Sequence, residues 1–212
     1  MKIIDLTHTI KPDMPVYPGT DPPVFKTPVS IAKDGFLEKK ITFFSHTGTH
    51  VDAPAHLFGE GETLNQFPVT QFAGPGFVVD ISGISRSRIT IDHLIPYQKK
   101  FESMAFALLY SGWENHWGAD AYFSNYPLLD AEAAEWITQF DIKGLGLDMI
   151  SVDAIDSYSL PVHHILLNRN FIIIENLKSL STLRRRDFLF CCFPLKIDKA
   201  DGAPARSVAI LS

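Results

Sequence analysis

Apolar residues along this chain fall into short runs bounded by glycine, proline or clusters of polar residues. Runs of that kind read as strands. Eight segments qualify: 2–5, 39–44, 76–81, 105–110, 144–148, 171–175, 188–193 and 207–211. Helical spacing is rarer. Asp130 reads as the N-cap of a helix over 131–140, with Glu132 and Glu135 suited to the positive end of its dipole. Residues 91–100 form a second helical stretch and 162–167 a short third. The 14 prolines and 13 glycines crowd into 12–23 and 54–76, which therefore read as long loops. Loops of that length tend to line sites. The pattern predicts a mixed α/β fold, with one domain spanning residues 1–212.

Composition narrows the function classes. The apolar fraction is 46% and the charged fraction 20%, as expected of a globular chain with a real core. The net charge of -5 and the lack of a long basic stripe argue against nucleic-acid binding. Arg184-Arg185-Arg186 is the only basic run and reads as a solvated turn. Near the N-terminus Asp5, His8, Lys11 and Asp13 interrupt any stretch of signal-peptide character. No apolar run approaches the ~20 residues of a membrane helix. Cys191 and Cys192 are adjacent within an apolar run, which predicts inert packing rather than a disulfide or a metal site. A cytoplasmic location, away from membranes, is expected.

The chemistry concentrates in His46-Thr47-Gly48-Thr49-His50-Val51-Asp52-Ala53-Pro54-Ala55-His56, which holds three of the chain's 8 histidines. Imidazole and carboxylate are preferred ligands of zinc and similar divalent metals. His46, His50, Asp52 and His56 would share one side of an extended strand. A straight strand would still separate His46 from His50 by roughly 13 Å. Metal ligands lie only about 2 Å from their ion. The chain must therefore bend between them, and Gly48 can take the positive φ that such a bend needs. A helical HExxH reading fails because Thr47 stands where glutamate belongs, Thr47, Gly48, Thr49 and Val51 are poor helix formers, and Pro54 breaks helices.

A second group lies far along the chain. Glu175 ends the apolar run 171–175, and a buried carboxylate is costly unless paired, protonated or bound to metal. Taken alone, Glu175 reads equally as a metal ligand or as a carboxylate that starts a turn or meets a lysine. His163 and His164 alone read as caps of a short helix.

The pattern His-x-Gly-Thr-His-x-Asp-Ala-Pro-x-His, with His163 twelve residues before the strand-ending Glu175, resembles the cyclase family of metal-dependent hydrolases. Bacterial kynurenine formamidase (arylformamidase) is its best-defined member type, and isatin hydrolase is a relative. The resemblance extends over Asp5-Leu6-Thr7-His8, Met14–Gly19, Tyr110-Ser111-Gly112-Trp113, Gly146-Leu147-Asp148, Ser151-Val152-Asp153 and Asp201–Arg206. It implies a mixed β/β/α swivelling-type domain with a central barrel-like sheet. It implies that His46, His50 and Asp52 ligate a first metal. Asp52 would bridge to a second, held also by His163 and Glu175. His56 would be the catalytic acid/base, and Tyr17 would contact substrate where the formamidases carry a tryptophan. Trp113 is a further pocket candidate, set against the commoner role of core aromatic.

The implied activity is hydrolysis of a small amide, formamide or lactam by metal-activated water, with N-formylkynurenine cleaved to kynurenine and formate, as in tryptophan catabolism. One or two divalent ions, zinc or alternatively manganese, and a homodimer or larger homo-oligomer complete the expectation. Isatin-like ring opening of a lactam or lactone, non-haem iron oxygen chemistry and non-catalytic binding of a metal or small molecule remain as alternatives.

Overall fold

The computed structural model describes residues 1–84, 88–169 and 171–211, and twelve strands form among these described residues. They are β1 Lys2–Asp5, β2 Val24–Val29, β3 Glu38–Thr42, β4 His50–Asp52, β5 Ala73–Asp80, β6 Arg88–Ile89, β7 Phe106–Tyr110, β8 Leu128–Leu129, β9 Gly144–Leu147, β10 Ile172–Glu175, β11 Phe188–Pro194 and β12 Gly202–Leu211. Strands β12, β11, β5, β7, β9, β10 and β4 pair in that order. Strand β4 then pairs back onto β12, closing seven strands into a barrel. The neighbours β5–β7–β9–β10 run parallel, and the other barrel pairs are antiparallel. Strand β1 extends β12 on the outside of the ring. The mixed α/β fold and its barrel-like sheet are thus present.

Alternation along the strands separates two cores. Val51, Val78, Phe106, Leu108, Ile172, Ile174 and Phe190 fill the barrel interior. Phe77, Val79, Ala107, Leu109, Leu145, Leu147 and Ile173 face outward and are covered by the helices Ala131–Ile137 and Pro161–Leu167. Strands β7, β9 and β10 are therefore buried on both faces, which explains their continuous apolar sequence. On β9 two glycines permit the close approach of neighbours. A Cβ at Gly146 would lie 2.5 Å from Leu108 Cδ2, and one at Gly144 would lie 2.5 Å from the Ile172 carbonyl oxygen.

Most of the predicted elements appear, with shifted ends. Segment 207–211 is the end of the ten-residue β12. Segment 39–44 becomes β3, which pairs only with the unforeseen β2 in an exposed hairpin. Residues 91–100 split into Ile91–Leu94, a 3-10 turn Ile95–Tyr97 and Gln98–Phe101. The break falls at Pro96, which cannot donate a helical hydrogen bond. Asp130 caps its helix as predicted, accepting from Glu132 N at 3.0 Å, although the helix stops at Ile137. No helix among the described residues is long and apolar enough to cross a membrane.

Replacing Gly144 with alanine forces a side chain against the β10 backbone. Urea denaturation should show a loss of about 1–3 kcal/mol. An unchanged midpoint would contradict the close packing of β9 on β10.

Candidate active site

The barrel closure builds the site. Strand β4 lies between β10 and β12, so His50 stands opposite Glu175 on one side and Pro204 on the other. Asp52 stands opposite Ile173 and Gly202. Val51 points into the barrel core, while His50 and Asp52 take the other face of β4. Before β4, the chain bends at Gly48, whose φ is +66°. A Cβ there would lie 2.9 Å from Met14 Cε, so the bend and the contact both call for glycine. After β4, the short turn Pro54–His56 carries His56. The helix Pro161–Leu167 delivers His163 from outside the barrel.

Each imidazole is oriented by a partner at one nitrogen. The Gly48 carbonyl accepts from His50 Nδ1 at 2.8 Å and from Asn176 Nδ2 at 2.9 Å. A carbonyl only accepts, so His50 donates from Nδ1, which turns Nε2 toward the carboxylates. His50 Nε2 lies 3.1 Å from Asp52 Oδ1 and 3.6 Å from Glu175 Oε2. His163 Nδ1 lies 2.8 Å from Asp153 Oδ2, which turns Nε2 toward Glu175 Oε1 at 3.5 Å and Asp52 Oδ2 at 3.8 Å. Asp153 also accepts from the backbone N–H groups of Val162 and His163, so it anchors the first turn of that helix. His46 Nδ1 lies 2.7 Å from Asp52 Oδ1, and its Nε2 lies 2.9 Å from Asp201 Oδ2.

Three groups of candidate ligands result among the described residues: His46, His50 and Asp52; Asp52, His163 and Glu175; and His46, His56 and Asp201. Within each group the donor atoms lie within 4.8 Å of one another. Asp52 belongs to the first two, presenting Oδ1 to His50 and Oδ2 to His163.

The electrostatics show why such a cluster suits a cation. Asp52 is 1% and Glu175 5% exposed. Burial disfavours both anions. At Asp52 the adjacent His50 and His46 outweigh burial and hold the carboxyl well below its usual range. At Glu175 burial and the charge of Asp52 together push the carboxyl up. Burial also opposes charge on the imidazoles, but Asp52 and Asp201 push His46 up to about 10. Against the same penalty Asp153, Glu175 and Asp52 push His163 up to about 10. The carboxylates thus favour positive charge at this cluster, and its nitrogen and oxygen donors fit divalent ions.

His56 stands beside these groups. Its ring centroid is 4.0 Å from that of His46 and 6.0 Å from that of His163. Burial is the largest cause of its lowered pKa. A cavity of about 660 Å³ opens over the cluster, with Tyr17, Phe44, Ile150, Ile155 and Leu160 in its wall. The Tyr17 hydroxyl donates to the Ile155 carbonyl at 2.9 Å, which leaves the ring as its contribution to the cavity. All seven predicted site residues therefore converge on one cavity. Trp113 does not join them. Its indole N–H donates to the Tyr122 carbonyl and its ring packs on the helix-side core. His164 is exposed, edge-on to Phe58.

Asp153, Asn176 and Asp201 received no role from the sequence. Their neighbours His163 and Glu175 in one case, and the conspicuous Asp201-Gly202 turn in the other, were the available signals. Cys191 and Cys192 are buried in β11 without a disulfide, as expected. Arg184 is exposed and pairs with Asp80 at 3.3 Å, in keeping with a solvated turn.

Known proteins resemble this chain over most of its length. The family model described as putative cyclase matches residues 4–154. The kynurenine formamidase of Geobacillus thermodenitrificans is 30% identical over 206 residues, covering 96% of this chain and 95% of the relative. That of Bacillus thuringiensis is 30% identical over 209 residues, covering 97% and 95%. Isatin hydrolase A from Ralstonia solanacearum superposes with a TM-score of 0.89 at 26% identity, covering 100% of this chain and 92% of that one. A structure described as a potential metal-dependent hydrolase with cyclase activity gives 0.83 at 28% identity, with 98% and 96% covered.

The raised pKa values of His46 and His163 make metal uptake a proton-releasing reaction, because ligand nitrogens must be unprotonated. Affinity should rise by roughly tenfold per pH unit for each proton displaced, up to the folded-state pKa values. Titrating metal-free protein with zinc at several pH values checks this. A pH-independent affinity from about pH 6 to pH 8 would contradict it.

Proposed function

This chain belongs to the putative cyclase family, and from that premise we propose a metal-dependent hydrolase that cleaves the C–N bond of a small formamide or lactam. The single observation that carries the proposal is Asp52, buried and shared by two imidazole–carboxylate groups on the floor of a cavity. The kynurenine formamidase relatives favour a formamide, N-formylkynurenine first among them. The likeness to isatin hydrolase A favours a second substrate class, lactams opened at the ring amide. Both are one reaction: water adds to a carbonyl carbon, the C–N bond breaks, and nitrogen takes a proton.

His46, His50 and Asp52 would hold one ion, and Asp52, His163 and Glu175 another, with zinc or manganese both suited to these donors. Divalent ions supply Lewis acidity, lowering the pKa of a water toward about 7 and polarising a carbonyl oxygen. The protein's own residues supply the rest. His56, kept neutral by partial burial, takes the proton from the attacking water and returns it to the leaving nitrogen. The Tyr17 ring, fixed through its hydroxyl to Ile155, offers a flat face to a planar substrate. Phe44, Ile150 and Leu160 give the cavity wall apolar surface.

A homodimer or larger homo-oligomer forms part of the proposal. The β2–β3 hairpin exposes Val24, Ile31, Phe36, Leu37 and Ile41, and a two-stranded hairpin is marginal in water without a surface to pack on. A cytoplasmic location is also proposed. The unpaired Cys191 and Cys192 fit a reducing compartment.

Exchanging His56 for alanine should leave metal content intact and lower kcat by about 100- to 10,000-fold. Exchanging Asp52 for alanine should abolish both. Turnover of N-formylkynurenine against isatin-like lactams, with metal content measured on the same samples, checks the scheme and ranks the substrates. Full activity in the His56 variant would remove its proton-transfer role.

A further inference from the structure

Asp201 has no part in the two ligand groups that share Asp52, yet it touches the residues on which both halves of the proposed chemistry turn. It sits immediately before β12, next to Gly202, which pairs with Asp52 across the barrel seam. Its Oδ2 lies 2.9 Å from His46 Nε2 and 3.6 Å from His56 Nδ1. The two rings are themselves packed at 4.0 Å between centroids, tilted by 40°. One carboxylate oxygen therefore faces the outer nitrogen of a ligand imidazole and the near nitrogen of the proton-transfer imidazole.

The backbone around Asp201 is built to hold this arrangement. Its carbonyl accepts from the Ala53 N–H at 2.9 Å, tying it to the end of β4. Gly202 then lets the His46 ring lie directly on the strand. A Cβ at Gly202 would come within 2.6 Å of His46 Cε1 and 2.8 Å of Nε2. The Asp201 side chain is 43% exposed, so it lies at the edge of the site and outside the buried core.

We propose that Asp201 is a positioning residue of the site: through Oδ2 it fixes the ring of His46 for the first ion and orients His56 for proton transfer. His163 and Asp153 repeat the same device at 2.8 Å on the other side of Asp52. A carboxylate behind a ligand imidazole sets its tautomer and orientation and raises its basicity. Asp201 differs from Asp153 in serving a second imidazole that belongs to neither shared-Asp52 group. The proposal rests on the metal-dependent reading above.

The test uses the full chain and two variants, Asp201→Asn and Gly202→Ala. Asp201→Asn keeps the backbone bond to Ala53 and removes the charge. Gly202→Ala keeps the carboxylate and displaces the His46 ring. Zinc affinity is measured by chelator competition, zinc stoichiometry at saturation, and kcat and KM across pH. Both variants should bind zinc about 10–100-fold more weakly at one of the two sites while still filling both at saturation. Asp201→Asn alone should also lower kcat at saturating zinc, with KM little changed, and shift the pH profile of kcat. Wild-type affinity and pH profile in Asp201→Asn would overturn the proposal. Loss of one whole equivalent of zinc at saturation would overturn it too, because Asp201 would then be a ligand. Failure of the wild-type protein to bind zinc or manganese would instead count against the metal-dependent reading itself.

Discussion

Two carboxylates buried side by side impose the constraint on which this structure depends. Asp52 and Glu175 are almost without solvent, and each raises the cost of charge on the other. Unpaired buried charges of this kind are not tolerated. The surroundings answer with imidazoles on every side: His46 and His50 at Oδ1 of Asp52, and His163 between Asp52 and Glu175. The outer nitrogen of each imidazole is then held by Asp201, Gly48 or Asp153. A polar network this deep is stable only when each member is satisfied.

The barrel exists in a form that makes this network possible. Strand β4 is only three residues long and would contribute little as an ordinary strand. It closes the ring by pairing with both β10 and β12. That double pairing places His50 and Asp52 against Glu175 and sets the Asp201-Gly202 turn beside them. Residues far apart in the chain thus converge because the closing seam of the barrel is also the floor of the site. The helix Pro161–Leu167 completes the enclosure. It is preceded by Leu160, whose backbone is left-handed with φ +41°.

Much of this was legible in the sequence, for identifiable reasons. Strands β7, β9 and β10 are buried on both faces, so their apolar runs stand out without alternation. Asp130 announced its helix through ordinary capping chemistry. Strand β2 escaped because Lys26 and Pro28 interrupt it, whereas β4 was legible as the extended stretch within 46–56 once a helix was excluded there. In the site, the density of ligand-type residues over 46–56 was visible, and so was the bend at Gly48. The pairing of His163 and Glu175 with that segment came from resemblance, since spacing alone cannot join residues more than a hundred positions apart. Asp201 and Asp153 stayed hidden because each acts through another residue's ring. Only tertiary contact reveals that role.

The ligand groups bear on the reaction and the cavity wall bears on the substrate. Tyr17 and Ile155 tie two loops together in that wall. Formamides and lactams present the same carbonyl and nitrogen to the floor and differ in what they offer to that wall. The claim beneath all of this is that the two oxygens of Asp52 serve two ions. Anomalous diffraction from crystals grown with zinc, recorded on both sides of the absorption edge, tests it most directly. Two peaks flanking Asp52, one beside His46 and His50 and the other beside His163 and Glu175, are predicted. No peak at Asp52, or zinc bound only elsewhere on the chain, would contradict it.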